Sequence, residues 1–240
     1  MKILQVIRTL ILLPIGAHIS NESIISLIKN CFSISLDKNI SDVLRKFAEH
    51  TLASIIQLFF SRIPHLVSMS IENASSSKQD DFVSGLKASD GTFINESTSK
   101  EESNKAAETT QNKGELISNV KVKPYDLKAL YELLNYMTDL LNPDRNSDVA
   151  ILTSLNLLTI ALETGADALS KCDSLLYIVK SRLTKNIVLL LHSERVAIFT
   201  GTCRLAFLLF ESMRSHLWLQ MEVFFLRIIE IISIENAKFE

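Results

Sequence analysis

Three side chains with oxygen donors, Asp144, Asn146 and Asp148, have the spacing of the first ligands of a calcium-binding loop. Carboxylate and amide oxygens at alternate positions of a tight turn are ligands that Ca²⁺ prefers. The pattern then fails, because Val149 stands where the loop requires Gly and Leu155 stands where it requires a bidentate Glu. We therefore interpret the segment as an Asx-rich turn that caps the next helix, and we predict no metal site.

The histidines and cysteines lack the spacing of a metal site or of a catalytic pair. They are His18, His50, His65, His192, His216, Cys31, Cys172 and Cys203. Glu49 beside His50 suggests acid–base chemistry, but neighbouring residues of a helix point about 100° apart and do not share a site. Cys203 stands among apolar residues, and burial raises the pKa of a thiol and makes it a poor nucleophile. Widely separated cysteines of this kind are typical of reduced core thiols.

The usual catalytic motifs do not occur in the chain. It contains no Gly-x-x-x-x-Gly-Lys, Gly-x-Gly-x-x-Gly, His-Glu-x-x-His or Gly-x-Ser-x-Gly sequence. A nucleotide, zinc-protease or hydrolase site would have to be unconventional, and we predict no catalytic residue and no cofactor. The net charge is −2, and no basic stripe with interleaved aromatic residues occurs. Nucleic acid is therefore not an expected partner.

Charged residues beside the most apolar segments are the remaining candidates for function. We predict a protein-interaction surface that contains Arg45, Glu49, His50, Glu211, Arg214, Trp218 and Glu222. The alternative for such charges, and for Arg195 and Arg204 near them, is a solvated face or a helix-end ion pair. Pairs of that kind contribute only about 0.3 kcal/mol each.

Helices must position these residues, because composition and apolar periodicity both favour an all-α fold. Six Gly and four Pro among 240 residues are few for a fold with many tight turns, and 47% apolar residues are enough for a core. The helices predicted first are residues 3–13, a second beginning at Ser20 or Asn21, and a third running from Ser41 to Ile63 and ended by Pro64.

A second set of five antiparallel helices is predicted near the end of the chain. They begin near Pro124, Ser147, Ser170, Ser193 and Ser215, and Gly165 is the predicted stop of the Ser147 helix. Long antiparallel helices joined by short turns are typical of an armadillo- or HEAT-like helical repeat stack.

The last two helices carry the most apolar pattern in the chain. Their predicted buried stripes are Phe199, Cys203, Phe207 and Phe210 on one, and Leu217, Met221, Phe224, Phe225, Ile228 and Ile232 on the other. Leu219, Val223 and Leu226 lie off the second stripe, so we predict that the last helix buries more than one face. Residues 217–234 also come closest to a membrane span, but three charged residues interrupt them.

Residues 73–121 differ sharply in composition, with few apolar side chains and no period. They predict a disordered linker between two helical pieces, residues 1–67 and residues 124–240. Residues 1–20 imitate a secretory signal, but Gln5 and Arg8 interrupt the apolar run, and we interpret the segment as an amphipathic helix. A secreted or membrane-anchored protein that uses this segment as a signal is the alternative.

Several long strings go beyond what amphipathic helices require. They are VIRTLILLPIGAHISNES (6–23), LRKFAEHTL (44–52), QLFFSRIP (57–64), LNPDRNSDVAILTSLNLLTIALETG (141–165), SERVAIF (193–199) and CRLAFLLFESMRSHLWLQME (203–222). In this order, with a variable Ser-rich linker between them, they resemble the large Arf guanine-nucleotide exchange factors of the Golgi-specific brefeldin A-resistance type.

The resemblance implies a domain assignment and a set of partners. Residues 1–67 are similar to the later part of the dimerisation and cyclophilin-binding domain, and residues 124–240 to the first part of the homology-upstream domain. Family members load GTP onto Arf GTPases at the Golgi, and their N-terminal helical regions serve in dimerisation, intramolecular regulation and membrane recruitment. The implied partners are a second copy or the other helical region of the chain, the Golgi membrane as a peripheral surface, and Arf only through an exchange domain.

Departures from the family pattern limit what the chain is expected to do. Neither an exchange domain nor the Asn-aromatic-Asp-Cys box occurs, and Trp218 stands where the family has a more polar residue. We therefore expect a fragment that serves in regulation and does not catalyse exchange by itself; the alternative is an unrelated helical-repeat adaptor. Absent neighbouring helices are expected to expose apolar surface at residues 3–13 and 217–234, and so to cause poor solubility or oligomerisation.

Overall fold

The computed structural model describes residues 1–69 and 125–236, and all regular structure in these ranges is helical. The expected all-α helical stack is therefore confirmed. The linker predicted for residues 73–121 and the helix start predicted at Pro124 lie outside the described residues.

The first helices are α1 (Lys2–Leu12), a 3₁₀ turn (Pro14–His18), α2 (Asn21–Leu36), α3 (Asp42–Ser61) and α4 (Ile63–Met69). The predicted cap of α2 is present, because the Ser20 side chain accepts a hydrogen bond from the backbone N–H of Ser23 at 3.3 Å. The end of α3 at Ser61 is close to the predicted end at Ile63, but Pro64 is not what stops the helix. Pro64 lies in the first turn of α4, where its missing N–H costs nothing, and α4 is bent 44° from α3.

The later helices are α5 (Leu127–Leu140), α6 (Asp148–Leu169), α7 (Asp173–Ile178), α8 (Thr184–Leu190), α9 (Val196–Ser212) and α10 (Trp218–Asn236), with a π turn (Val179–Leu183) between α7 and α8. Side chains cap two of them, since Asp126 accepts from the N–H of Lys128 and Ser147 accepts from the N–H of Ala150. The predicted Ser147 cap is thus confirmed, whereas the cap of α5 is Asp126.

Gly165 interrupts the regular geometry of α6 where the sequence predicts a stop, but helical residues resume after it. The helix continues to Leu169 and bends at Gly165, where φ is −141° and ψ is 18°. A Cβ atom at this position would lie 2.7 Å from the carbonyl oxygen of Phe60. The glycine is therefore required because α6 approaches the C-terminal end of α3 too closely for any side chain.

One hydrophobic core joins the two helical pieces. In the first piece α3 packs against α1 and α2, and it also packs against α6 in the second piece. On its other side α6 packs against α9, and α8 packs against both α9 and α10. Each helix thus contacts its neighbours in a row, which is the arrangement of a helical repeat stack.

The central position of α6 explains its apolar composition. Among the described residues, α6 is the one unbroken helix long and apolar enough to cross a membrane, and 67% of its most apolar window is buried in the protein. The sequence had indicated residues 217–234 as the closest to a span. Burial between α3 and α9 accounts for α6 as a core helix.

The buried faces of α9 and α10 differ from the predicted stripes. Of the predicted α9 stripe, Phe210 is buried, Phe199 and Cys203 are half-buried, and Phe207 is exposed. The other buried residues of α9 include Ile198, Thr202, Leu205 and Leu209. Leu217 and Phe224 are buried near the start of α10, but Phe225 and Ile232 are exposed, as are Leu219, Val223 and Leu226. The prediction that α10 buries more than one face is therefore wrong for the described residues. Both helices are apolar on several sides, so periodicity alone could not select the face that packs.

Candidate protein-interaction surface

The turn that resembles a calcium loop does different work: together with α6 and α8, it provides hydrogen-bond donors for the last carbonyl groups of α5. The last carbonyl groups of a helix have no partner within it. Asn146 Nδ2 donates to the carbonyl of Asp139 at 2.8 Å, Ser154 Oγ to that of Met137 at 2.6 Å, and Asn186 Nδ2 to that of Thr138 at 2.8 Å. These bonds tie the end of α5 to the turn, to α6 and to α8.

Two further side chains of the turn, those of Asn142 and Asp148, also have partners for their oxygen atoms. Asn142 Oδ1 accepts from the N–H of Asp144 at 2.9 Å, which is the geometry of an Asx turn, and Asp148 pairs with Arg195 at 2.7 Å. The Asx turn predicted from the sequence is present, with Asn142 as its first residue. Over the ranges that the structure describes, no group of three His, Cys, Asp or Glu side chains could hold a metal ion.

The candidate residues on α3 form an ordinary outer helix face. Arg45 pairs with Asp42 one turn earlier on the same helix. Glu49 is half-buried, His50 is exposed, and no hydrogen bond or ion pair joins their side chains within residues 1–69 and 125–236. The geometry gives this trio no shared chemistry.

A second group of candidate residues lies at the corner between α9 and α10. Glu211, Arg214, Trp218 and Glu222 are all exposed there, and the indole of Trp218 is 70% exposed. Met213 and Leu217, which are buried, anchor this corner to the core. Because α6 packs between α3 and α9, the seven predicted residues form two separate groups rather than one site.

Beside this corner, α8 and α10 form an apolar groove of about 350 Å³. Its lining includes Ile187, Val188, Phe210, Leu219, Val223 and Phe224. At one end Gln220 Nε2 donates to the carbonyl oxygen of Lys180, in the π turn, at 3.4 Å. The sequence contained a signal for this groove, namely the apolar residues Leu219 and Val223 outside the buried stripe predicted for α10. The π turn had no signal in the sequence.

The two helical pieces meet at Tyr125, which sequence analysis did not single out. Its ring stacks on Phe59 with the ring centroids 4.7 Å apart, and its hydroxyl accepts a hydrogen bond from Arg62. Its backbone N–H donates to the carbonyl of Ile19 at 2.9 Å. Tyr125 is buried, so aromatic stacking and two hydrogen bonds fix the start of the second piece on the first.

Further polar contacts extend this junction. Asn21 Nδ2 donates to Asp126 Oδ1 at 3.0 Å, and the N–H of Asp126 donates back to Asn21 Oδ1 at 2.9 Å. Farther along, the ring of Phe32 meets that of Tyr136 edge-on at 5.2 Å, and the Lys29 ammonium lies over the Tyr136 ring at 5.9 Å. Burial raises the pKa of the Tyr136 hydroxyl.

Ion pairs account for the other charges noted in the sequence. Arg204 on α9 pairs with Glu163 on α6 at 2.9 Å, just as Arg195 pairs with Asp148. Both arginines are well exposed, and such surface pairs contribute about 0.5 kcal/mol or less. These pairs support the packing of α9 on α6 and leave neither arginine as a binding group.

The cysteines are free thiols in two different environments. Cys31 and Cys172 are buried, whereas Cys203 is partly exposed. Burial raises the pKa of the Cys31 and Cys203 thiols. A raised pKa lowers the thiolate fraction near neutral pH, so these thiols are poor nucleophiles, as the sequence predicted.

Comparison with known proteins finds sequences similar to this chain. The family model described as Mon2/Sec7/BIG1-like, HUS domain, matches residues 127–240. The chain is 27% identical to a Golgi-specific brefeldin A-resistance guanine nucleotide exchange factor 1 homolog of Caenorhabditis elegans, over 100% of the chain and 17% of that protein.

Two further relatives carry similar names. The ARF guanine-nucleotide exchange factor GNOM of Arabidopsis thaliana is 22% identical over 94% of the chain and 18% of its own length. The ARF guanine-nucleotide exchange factor 2 of Saccharomyces cerevisiae is 21% identical over 97% of the chain and 19% of its own length. The chain thus spans less than a fifth of each of these relatives. Along its whole length the chain is thus similar to large Arf guanine-nucleotide exchange factors, one of them named as Golgi-specific brefeldin A-resistance type.

Proposed function

We propose that this chain is a regulatory protein-interaction region of an Arf guanine-nucleotide exchange factor that acts in Golgi vesicle trafficking. The observation that carries the proposal is the match of residues 127–240 to a HUS domain, together with relatives named as Arf exchange factors across the whole chain. The junction at Tyr125 supports it, since it joins those residues to the preceding helices as one unit.

We also propose a domain assignment, which the HUS match over residues 127–240 supports for the second piece. Residues 1–67 form the later part of the dimerisation and cyclophilin-binding domain, and residues 124–240 form the first part of the homology-upstream domain. Contact between the two pieces is intramolecular in the described residues. Homodimerisation remains a prediction.

A binding role, rather than catalysis, suits the surfaces that the structure describes. Five of the seven candidate residues are exposed, and an apolar groove between α8 and α10 lies beside the second group. We therefore propose that the chain alone does not exchange nucleotide on Arf. Its partners are protein helices, with Golgi membranes as a peripheral location.

Recovery of the tagged chain from cells tests this proposal. We expect the full 240-residue chain to fractionate in part with Golgi membranes and to co-purify with Arf exchange factors of this family. A Val43→Lys variant should behave alike, since this exposed position at the start of α3 is neither a candidate residue nor part of the junction. A chain found away from the Golgi and bound to none of these proteins would favour a free-standing helical adaptor.

A further inference from the structure

A polar cavity of about 600 Å³ lies between the end of α5, the turn that follows it, the π turn and α8. We call it the basic cavity, because three cations line it together with three amides: Arg145, Arg182, Lys185, Asn142, Asn146 and Asn186. Its volume is in the range of small-molecule sites. None of the seven candidate residues lines it, and its lining shares only Lys185 with the groove between α8 and α10.

The helices that form the basic cavity lie inside the stack rather than at its ends. Helix α5 packs against α2, α6 and α7, and α8 packs against α9 and α10. Neither α1 nor α10, the first and last helices described, contributes a side chain to the lining. A further helix packed on the exposed side of α1 or α10 would therefore leave the basic cavity open.

The lining of the basic cavity carries an excess of positive charge. Asp139 is the one carboxylate among the described residues that line it, and it pairs with Arg182 at 2.6 Å. Within residues 1–69 and 125–236, the side chains of Arg145 and Lys185 have no ion-pair partner. Asp144 precedes Arg145 in the turn but does not line the cavity. Three cations and one carboxylate leave a net charge of +2, so the complementary ligand is an anion.

Two donors in the lining are already held in place for such a ligand. The guanidinium of Arg182 donates to Asn135 Oδ1 and Asp139 Oδ1 on α5, and further N–H groups of its five remain. Asn186 is buried and donates one amide N–H to the carbonyl of Thr138, which leaves its second N–H. Arg182 also lies in the π turn, and π turns occur frequently at functional sites. Donors fixed in this way lose little freedom on binding.

The rest of the lining narrows the class of anion. Tyr136 is the one aromatic side chain among the described residues that line the cavity. Its ring already packs edge-on against Phe32 and beneath the Lys29 ammonium. A nucleotide base would therefore find no free ring on which to stack. Several cations around one cavity, one of them an arginine with its planar fork of donors, are suited to phosphate groups.

A lipid surface is disfavoured at the mouth of the basic cavity. The turn between α5 and α6 exposes Pro143, Asp144 and Arg145, and its large apolar residue Leu141 is buried. No large apolar side chain of this turn is exposed for insertion into a membrane. The Asp144 carboxylate would also be repelled by anionic headgroups. These features favour a ligand that is dissolved in water.

We propose that the basic cavity binds a soluble small molecule that carries several phosphate groups on a non-aromatic frame, which is the chemistry of an inositol polyphosphate. Arg145, Arg182 and Lys185 neutralise its phosphates, and the amides of Asn142 and Asn186 provide neutral donors. Because the ligand contacts the end of α5, the turn and α8 together, its binding stabilises the folded chain. This inference goes beyond the proposed function and does not rest on it.

Isothermal titration of the full chain with inositol hexakisphosphate tests this inference. Inositol hexasulfate is the matched control, because it has the same ring and number of anionic groups but only one negative charge on each. We expect one hexakisphosphate to bind per chain, about tenfold or more tightly than the hexasulfate. The midpoint of thermal unfolding should rise with hexakisphosphate concentration.

Four variants locate the site. Arg145→Gln and Lys185→Gln should each weaken hexakisphosphate binding about tenfold, because each removes a charge-assisted hydrogen bond. Arg214→Gln and Lys171→Gln remove the same charges at exposed positions outside the cavity and should leave the affinity unchanged. Circular dichroism verifies that each variant is folded.

Four results would overturn the inference. Absence of hexakisphosphate binding would exclude the site, and equal affinity for the hexasulfate would remove the preference for phosphate. Equal weakening in all four variants would indicate general attraction of charge. Binding to vesicles that contain phosphorylated inositol lipids, without displacement by hexakisphosphate, would make a membrane the occupant. None of these results depends on whether the chain reaches the Golgi, so this inference and the proposed function fail separately.

Discussion

At the scale of single residues, Gly165 marks a close approach of the two helical pieces. A Cβ atom there would lie 2.7 Å from the Phe60 carbonyl oxygen and 3.1 Å from Phe60 Cβ. Gly165→Ala should therefore force α6 away from α3 and lower the free energy of unfolding by about 2 kcal/mol. Urea denaturation followed by circular dichroism measures the change.

Gly201 provides the control for that substitution. It lies inside α9, and a Cβ atom there would meet only the Leu155 side chain, at 3.2 Å. Gly201→Ala should leave the free energy of unfolding within about 1 kcal/mol of wild type, because helix propensity offsets the tight contact. If Gly165→Ala were as stable as Gly201→Ala, the packing described for Gly165 would be wrong.

Thiol chemistry gives a second prediction at this scale. Cys203 should react first with a disulfide reagent because it is partly exposed, and Cys31 should react only after unfolding. Since the pKa of Cys203 is raised, its rate should keep increasing at pH values above the usual thiol pKa. Stopped-flow labelling across pH measures this, and Cys203→Ser should remove the fast phase. A rate that is already constant at pH 7 would contradict the raised pKa.

Local chemistry made several residue roles predictable and others not. Ser20 and Ser147 could be predicted as caps, because a cap depends on the residue and its immediate neighbours. Gly165 was correctly interpreted as a break in the helix, but its packing role was missed because it depends on a helix about 100 residues earlier in the chain. The role of Tyr125 was missed for the same reason, because its partners Phe59 and Arg62 are remote in sequence.

At the scale of helices, α1 exposes an apolar stripe of its own. Ile3, Val6 and Leu10 lie on one side of α1 and are all exposed, whereas Leu4 and Ile11 are buried on the other side. Exposed apolar surface of this kind was expected for α1 and α10. We predict that the chain self-associates through the α1 stripe as its concentration rises.

A matched pair of valines tests the α1 stripe. Val6 and Val43 have side chains that are 65% and 64% exposed, but only Val6 belongs to the stripe. Val6→Lys should weaken self-association in sedimentation velocity experiments, and Val43→Lys should not. A wild-type chain that stays monomeric at high concentration would refute the prediction.

Helix existence was easier to predict than helix orientation. The predicted order of helices matches α1 to α3 and α5 to α10, with the expected helix of residues 170–191 present as α7, a π turn and α8. The buried side of α9 was wrong by one residue, because Ile198 and Phe199 are both apolar and only the contact with α6 distinguishes them. The buried face of a helix is predictable from sequence when an apolar side stands opposite a polar side, and not when the helix is apolar on several sides.

At the scale of the whole molecule, Tyr125 couples the two helical pieces. Tyr125→Ala removes the stack on Phe59 and the hydrogen bond to Arg62, and should lower the free energy of unfolding by about 3 kcal/mol. Tyr125→Phe keeps the stack and should lose only about 1 kcal/mol. Tyr177→Ala, at an exposed tyrosine, is the control and should change little.

Two buried thiols report whether the pieces unfold together. Cys31 lies in α2 and Cys172 lies just before α7, so the reactivity of each thiol reports the unfolding of one helical piece. In wild type and in Tyr125→Ala, both thiols should become reactive at the same urea concentration, which is lower for the variant. Exposure of Cys31 well before Cys172 would contradict a single unit.

The candidate surface was only partly predictable from sequence. Glu222 was named because charges flank apolar helices, and Trp218 because it stands where the family has a more polar residue. Both side chains are exposed on α10. The seven named residues could not be sorted into two groups from sequence, because α6 separates α3 from α9 only in three dimensions. The groove beside α8 depends on the same packing.

Nucleotide release from Arf tests the central claim most directly. The full chain is added to Arf loaded with a fluorescent GDP analogue, and the release rate is followed as the chain concentration rises. A binding region without exchange activity predicts the rate of Arf alone at every concentration, while an added Arf exchange domain accelerates release in the same preparation. A release rate that rises in proportion to the chain concentration would contradict the account.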